Sequence, residues 1–324
     1  MTSTAKTGKL SDSVYILKAL AILSVAFAHS VRSDAQIQYI SDLLGGIGVP
    51  IFFICAGLYF NSTEKPSVFW RKKLKNIVVP WLLYSLLTFL VSDRSFTVQG
   101  WLLWTIGYGT WLYFVSFLLF YCLLFRIFRQ RCMPWLMLGI CAISIVLGIL
   151  GIDIMKVLFK TTYPNPLNRI GYFALGILLR EKDWLHRITE KKALLPLSLV
   201  LGLTFFALCQ FVPKGIIRST SALFFTFSAI IACYYGAQRL SSTSARNVLM
   251  DIGKQTYMIY FLHMQFGNGV SKLLFASWPN TLEWIVLFLF PMVSVMSVYI
   301  GILVLGKIMH QFSLQRCKWI IGMR

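Results

Sequence analysis

Residues 193–212 read ALLPLSLVLGLTFFALCQFV, twenty consecutive positions without a charge. At about 1.5 Å per residue a helix of this length spans about 30 Å, the hydrocarbon thickness of a bilayer. Working outward in both directions, comparable apolar runs fall at 14–33, 43–60, 76–92, 110–128, 134–151, 166–180, 219–238, 252–275 and 281–306. The run at 166–180 is short for a crossing, and 101–107 reads as an interfacial segment. Of the 324 residues 57% are hydrophobic and 13% charged. A soluble domain carries about 45–50% apolar and about 25% charged residues, and a disordered chain departs from that in the opposite direction. About ten crossings take on the order of 200 residues and leave about ten for each connection, so no separate soluble domain fits. The expected architecture is an all-α polytopic membrane protein of about ten transmembrane helices. Its parts are an N-terminal tail at 1–13, a transmembrane domain at 14–306 and a basic tail at 307–324.

The net charge of +20 is not the footprint of a nucleic-acid-binding protein, because Lys and Arg gather in alternate connections. With the N-terminus in the cytoplasm, 21 basic residues fall on inside segments and 7 on outside segments, while Lys18, Arg169 and Lys254 fall within runs. That asymmetry is the positive-inside pattern. It would break if one crossing were added or lost midway, and it puts both termini in the cytoplasm. A cleaved leader is the rival reading of the first run, since Ala26-Phe27-Ala28 has the small-x-small form; Lys18 in the middle of the hydrophobic stretch opposes it. The seven cysteines stand singly, mostly inside apolar runs. None has the spacing of a metal site or a disulfide framework, and they read as small buried hydrophobes.

Ionisable side chains inside a bilayer are costly and mark function. Of the four histidines, His186 and His310 sit in basic segments and read as interfacial, whereas apolar sequence surrounds His29 and His263. Lys18 and His29 share the first run. Eleven residues at about 1.5 Å each place them roughly 16 Å apart along a helix and within about 20° of one face. The plain alternative is a snorkelling lysine and a histidine bonded to a neighbouring helix. The second run contains Gly48-Val49-Pro50-Ile51-Phe52-Phe53 and Gly57, small residues that let helices approach closely. Arg71-Lys72-Lys73-Leu74-Lys75, followed by Pro80-Trp81, reads either as a positive-inside anchor or as a clamp for a cytoplasmic polyanion.

Taken in order, these segments resemble the acyltransferase-3 family of integral-membrane O-acyltransferases. Lys18 and His29, with ten residues between them, are similar to the opening helix of that family, where a basic residue precedes a histidine. Pro50-Ile51-Phe52-Phe53 with Gly57 resembles its Pro-x-Phe-Phe-x-x-Ser-Gly segment, and Phe69 to Trp81 its basic helix start. Trp111-Leu112-Tyr113-Phe114 resembles a Trp-Phe-Leu run, and Tyr172-Phe173 with Gly176 a Phe-Phe-x-x-Gly segment. Gly253-Lys254-Gln255-Thr256-Tyr257 through Tyr260 and His263 resembles the late Gly-Lys-x-Ser…Tyr-x-x-His ending. The chain departs from the pattern at Lys18, more often Arg in the family, and at Tyr15, where an acid is usual. Ala56 stands in place of the motif serine, and Lys73 and Asn76 in place of an Arg-x-x-Arg pair. Family members with a fused extracytoplasmic esterase-like domain are much longer, and the type expected here is the one without it.

The resemblance implies transfer of an acetyl group from cytoplasmic acetyl-CoA to a hydroxyl of a surface glycan or lipid-linked sugar, of O-antigen or capsule type. The setting it implies is a bacterial inner membrane, with membrane lipids as surroundings, no bound cofactor and no metal. Arg71, Lys72, Lys73 and Lys75 would hold the donor's phosphates. His29, as neutral imidazole, would take the proton of the attacking hydroxyl, and Lys18 would help place the donor. Tyr260, Lys254 and His263 are possible supporting residues. The rival readings are a flippase or exporter of lipid-linked sugars, for which no internal repeat is found, and a membrane scaffold without catalysis.

Overall fold

The computed structural model describes residues 3–30, 34–61, 63–92, 95–128, 130–191, 193–241 and 243–323, with side chains except at 3–11, 186, 189 and 280. Arg32, Arg94, Arg129, Lys192 and Arg324, counted above among the loop charges, lie outside the described residues, as does the side chain of His186. Sixteen α-helices follow one another with no strand among the described residues. They are α1 (Ser3–Ala28), α2 (Ala35–Gly45), α3 (Gly48–Leu58), α4 (Pro66–Lys73), α5 (Val79–Leu90), α6 (Val98–Ile106), α7 (Tyr113–Ile127) and α8 (Met133–Ile149), then α9 (Ile154–Phe159), α10 (Leu167–Glu181), α11 (Trp184–Glu190), α12 (Leu194–Phe211), α13 (Ile216–Leu240), α14 (Arg246–Leu262), α15 (Asn268–Phe275) and α16 (Glu283–Gln311). Helix is the expected outcome in a bilayer, since it satisfies every backbone polar group within one segment.

Among the described residues, the greater part of each apolar run of the sequence falls on helix. Among the described residues, five helical stretches are long and apolar enough to cross a membrane: Ala35–Leu58, Pro66–Leu90, Leu194–Phe211, Ile216–Leu240 and Glu283–Gln311. The exposed faces of the last three are largely apolar. Leu203 and Phe211 on α12 are 70% and 86% exposed, a surface that requires lipid rather than water. The protein is a helical membrane protein. The segment expected at the interface is α6, whose N-cap Thr97 accepts a hydrogen bond from the Gly100 amide at 3.0 Å. It closes at Gly107, in the left-handed region at φ 92°, where a Cβ would stand 2.0 Å from the Tyr113 nitrogen.

The chain divides into two compact units. The first comprises residues 1–20, 49–62 and 118–248. Its centre is an aromatic cluster in which Phe53, Tyr121 and Phe173 are fully buried; the Phe53–Tyr121 and Tyr121–Phe173 centroids lie 5.2 and 5.9 Å apart. The Tyr121 hydroxyl donates to the Pro166 carbonyl at 2.5 Å, which meets the need of the one polar atom in the cluster. α12 and α13 form a hairpin whose rings interleave, Phe205 stacked on Phe224 at 5.0 Å and Phe206 against Phe225 at 5.5 Å.

The second unit comprises residues 21–48, 63–117 and 249–324. Here helices are joined by hydrogen bonds as well as by packing, as suits a medium without water to compete. Trp101 Nε1 and Thr105 Oγ1 donate to Ser85 Oγ at 3.2 and 3.0 Å, and Trp104 Nε1 to Thr88 Oγ1 at 3.1 Å, tying α6 to α5. The 3₁₀ segment Leu314–Ile321 returns to α5, where the Tyr84 hydroxyl donates to the Ile321 carbonyl at 3.1 Å.

Two π-helical turns interrupt the longer helices of this unit, Leu74–Val78 between α4 and α5 and His263–Gly267 between α14 and α15. The first has a local cause: Pro80 has no amide hydrogen for the Asn76 carbonyl, and its ring crowds that carbonyl, so the chain widens just before it. The second ends at Gly267, where a Cβ would stand 2.5 Å from the Ser294 carbonyl oxygen. Wide turns of this kind are rare and concentrate at functional sites.

Candidate functional site

The last eight residues of α1 are rich in small side chains, and α2 and the start of α3 press closely on them. A Cβ on Gly48 would meet the Ala21 carbonyl at 2.4 Å, and one on Gly45 the Ala28 backbone nitrogen at 2.5 Å. α1 therefore stops at Ala28, and the chain turns through Ala26 and Phe27 carbonyls that accept from the His29 and Ser30 amides. The turn is pinned by hydroxyls. Ser30 Oγ and Ser41 Oγ lie 2.8 Å apart and both lie within hydrogen-bond distance of the Phe27 carbonyl, so one hydroxyl donates to that carbonyl while the other donates to it or to its neighbour. His29 is thus the first residue past the helix rather than a member of its regular face, and its side chain is half-buried.

Against this turn stands His263, the first residue of the second π turn and completely buried. The two imidazole centroids are 5.3 Å apart with the rings inclined by 46°. His263 Nδ1 lies 2.6 Å from the Tyr260 carbonyl oxygen. A carbonyl can only accept, so Nδ1 carries the hydrogen and Nε2 carries a lone pair. That Nε2 has no hydrogen-bond partner among the described residues. Asn268 donates through Nδ2 to the His29 carbonyl at 3.3 Å and accepts at Oδ1 from Ser294 Oγ at 2.9 Å. Ser294 Oγ also lies 3.4 Å from the His263 carbonyl.

Tyr260 closes the arrangement on its other side. It is buried, its ring centroid 5.9 Å from that of His263 and 5.4 Å from that of Phe114, and its hydroxyl donates to the Trp111 carbonyl. Trp111 Nε1 and Gln265 Oε1 are, like His263 Nε2, buried polar atoms without a partner among the described residues. Each such atom costs on the order of 1–3 kcal/mol. The three belong to residues joined through one tyrosine and one π turn.

The remaining sequence-selected residues take separate positions. Lys18 belongs to the first unit, half-buried, its ammonium 5.3 Å from the Tyr15 ring centroid and 5.5 Å from that of Tyr59. In the second unit Lys72 pairs with Glu64, and Lys73 lies 5.3 Å over the Phe69 ring. Lys75 lies 5.0 Å over Trp319. Arg71 is exposed, with no side-chain partner among the described residues. Lys75 thereby meets the C-terminal 3₁₀ segment, and with it Arg316 and Lys318, neither of which the sequence singled out for this role. Lys254 forms an ion pair with Asp251 at 2.9 Å, one helical turn away on α14. His310 is exposed in the last turn of α16.

Asn268, Ser294, Ser30 and Ser41 were not picked out either. The signal available was polarity inside an apolar run, which is informative for Asn268 but too common among serines to discriminate. Residues 12–305 match the family model described as an acyltransferase domain. The chain matches none of the curated proteins and none of the solved structures with which it was compared.

Proposed function

The chain belongs to the acyltransferase-3 family, and on that premise we propose that it transfers an acetyl group from cytoplasmic acetyl-CoA to a hydroxyl of a surface glycan or lipid-linked sugar of O-antigen or capsule type. In this reading the protein crosses the inner membrane of a bacterium about ten times, with both termini in the cytoplasm. One observation carries the proposal: two imidazoles in contact in a helical membrane protein, His29 half-buried and His263 fully buried with a lone pair that has no partner among the described residues.

The chemistry needs one base. The acceptor oxygen bonds to the thioester carbonyl carbon as its proton passes to His29. The C–S bond then breaks, and the departing thiolate takes the proton back from His29. The products are an acetyl ester and free CoA, and the enzyme returns to its starting state. Arg71, Lys72, Lys73 and Lys75 supply the positive charge for the donor's phosphates, with Arg316 and Lys318 added by the returning C-terminal segment. Lys18 helps to place the donor.

The test uses purified protein in detergent, acetyl-CoA labelled in the acetyl group, and the surface glycan of cells lacking the gene. The expected result is label in the glycan, released by mild alkali as an ester must be, and none with His29→Ala. Unmodified glycan with folded wild-type protein would remove the proposal. Glycan modified equally by His29→Ala would remove His29 from it.

A further inference from the structure

In the second unit a ring with an unmet acceptor touches a ring with an unmet donor. His263 Nε2 is a bare acceptor, because the Tyr260 carbonyl holds the hydrogen on Nδ1, and it is buried with no partner among the described residues. A neutral His29 carries one N–H, and among the described residues no protein group accepts it. The rings that carry these two deficits are already in contact, at 5.3 Å between centroids. The backbone on both sides is fixed by the Asn268–Ser294 chain, so the side-chain torsion of His29 is the freedom that remains.

We propose that His263 is a positioning residue, whose Nε2 accepts the N–H of His29 and so holds the other His29 nitrogen, bare, toward the acceptor hydroxyl. An imidazole has two nitrogens, and only the unprotonated one can act as base. Without a partner, His29 divides its population between two tautomers and several ring angles. With Nε2 of His263 fixed as acceptor, one tautomer and one ring angle are selected. When His29 takes the proton of the hydroxyl, it carries hydrogen on both nitrogens, and the hydrogen bond to His263 strengthens because its donor is now charged. The proton that leaves for the thiolate is the one that arrived, so His263 gains and loses nothing over the cycle. This inference rests on the acyl-transfer reading above.

Two substitutions separate positioning from support of the fold. Asn in place of His263 keeps a donor where Nδ1 stood, for the Tyr260 carbonyl, and removes the acceptor at Nε2. Gln places an acceptor near the Nε2 position and removes the donor to Tyr260. Positioning predicts that His263→Asn melts within about 4 °C of wild type and loses kcat roughly 10–100-fold, as outer partners of an imidazole do, with KM for acetyl-CoA within about twofold. His263→Gln then keeps more of kcat than His263→Asn despite melting lower. A purely structural role predicts the reverse order, activity following melting temperature, and that result overturns the proposal. Nitrogen-15 spectra of histidine-labelled full-length protein give a reading that needs no activity. The expected pattern is hydrogen on Nδ1 of His263 and a single His29 tautomer that becomes mixed in His263→Asn. Hydrogen on Nε2 of His263, or a His29 signal indifferent to the substitution, would sink the pairing whether or not the protein transfers acetyl. Absence of transfer by wild type with the expected spectra would instead remove the reaction and leave the pair.

Discussion

Gly57 on α3 and Gly176 on α10 touch backbone to backbone: a Cβ added to Gly57 would stand 3.0 Å from the Gly176 Cα and 2.1 Å from the Phe173 carbonyl oxygen. Without water between them, helices in a bilayer associate through packing of this kind. Here it also seats Phe53 and Phe173 in one aromatic cluster. Gly57→Ala must push the two helices apart. We expect a loss of about 1–3 kcal/mol, read as a lower melting temperature in detergent, with a similar loss for Gly176→Ala. Gly236→Ala is the contrast, because nothing lies within 4 Å of its Cβ position. There the helix should gain about 0.4–1 kcal/mol. Equal melting of all three variants would contradict the contact.

What the sequence made legible follows from how a bilayer constrains a chain. The apolar runs were readable because a helix is the one way for a lone segment to satisfy its backbone there, and the greater part of each described run does fall on helix. The ends were less readable: α1 begins at Ser3 and stops at Ala28, and α16 continues to Gln311. The stop at Ala28 comes from hydroxyls and close glycines rather than from hydropathy. His29 and His263 stood out as lone imidazoles in apolar sequence. Their meeting did not, because 234 positions separate them and only tertiary packing brings α15 and α16 beneath the turn after α1. The π turn at His263 was hidden for the same reason, since it depends on Gly267 lying against Ser294. Trp319 under Lys75 required the tail to fold back.

The Lys18 ammonium lies 5.3 Å from the Tyr15 ring centroid and 5.5 Å from that of Tyr59, contacts worth about 0.5–2 kcal/mol. Arginine stacks on aromatic faces at least as well as lysine. Lys18→Arg should therefore keep most acetyl transfer, while Lys18→Met should lose it by roughly tenfold or more. Tyr59→Leu should lower the melting temperature without changing the charge. An active Lys18→Met would show that the cation serves the fold alone.

The donor's phosphates are expected at a basic surface completed by the C-terminal segment. Lys75→Ala should raise KM for acetyl-CoA several-fold, about 1 kcal/mol per charged contact near the surface, and leave kcat nearly unchanged. Trp319→Ala should have a smaller effect of the same kind, because it frees the lysine that rests on the ring. Raising the salt concentration should increase KM for the wild type more steeply than for Lys75→Ala, since screening acts only on charge that is present. Lys214→Ala, an exposed cation on a different connection, should not change KM. A KM for acetyl-CoA indifferent to both salt and Lys75 would move the donor elsewhere on the protein.

Asn268 links the two histidines through the backbone rather than through their rings. Its amide nitrogen donates to the His29 carbonyl and its amide oxygen accepts from Ser294, whose hydroxyl also lies 3.4 Å from the His263 carbonyl. Because both halves of the amide are in use, aspartate is an informative replacement. Asn268→Asp retains an oxygen for Ser294 but sets a second acceptor against the His29 carbonyl, so the turn after α1 loses its tie and meets repulsion instead. Ser294→Ala leaves Asn268 Oδ1 buried without a donor and should cost about 1–3 kcal/mol. If the backbone tie sets the imidazole geometry, kcat falls in Asn268→Asp further than its stability loss accounts for, whereas Ser294→Ala loses stability and keeps most of its kcat at low temperature. The comparison needs melting curves and initial rates on the same preparations, at a temperature where every variant is folded. Rates that follow only the folded fraction in both variants would confine Asn268 to holding the helices together.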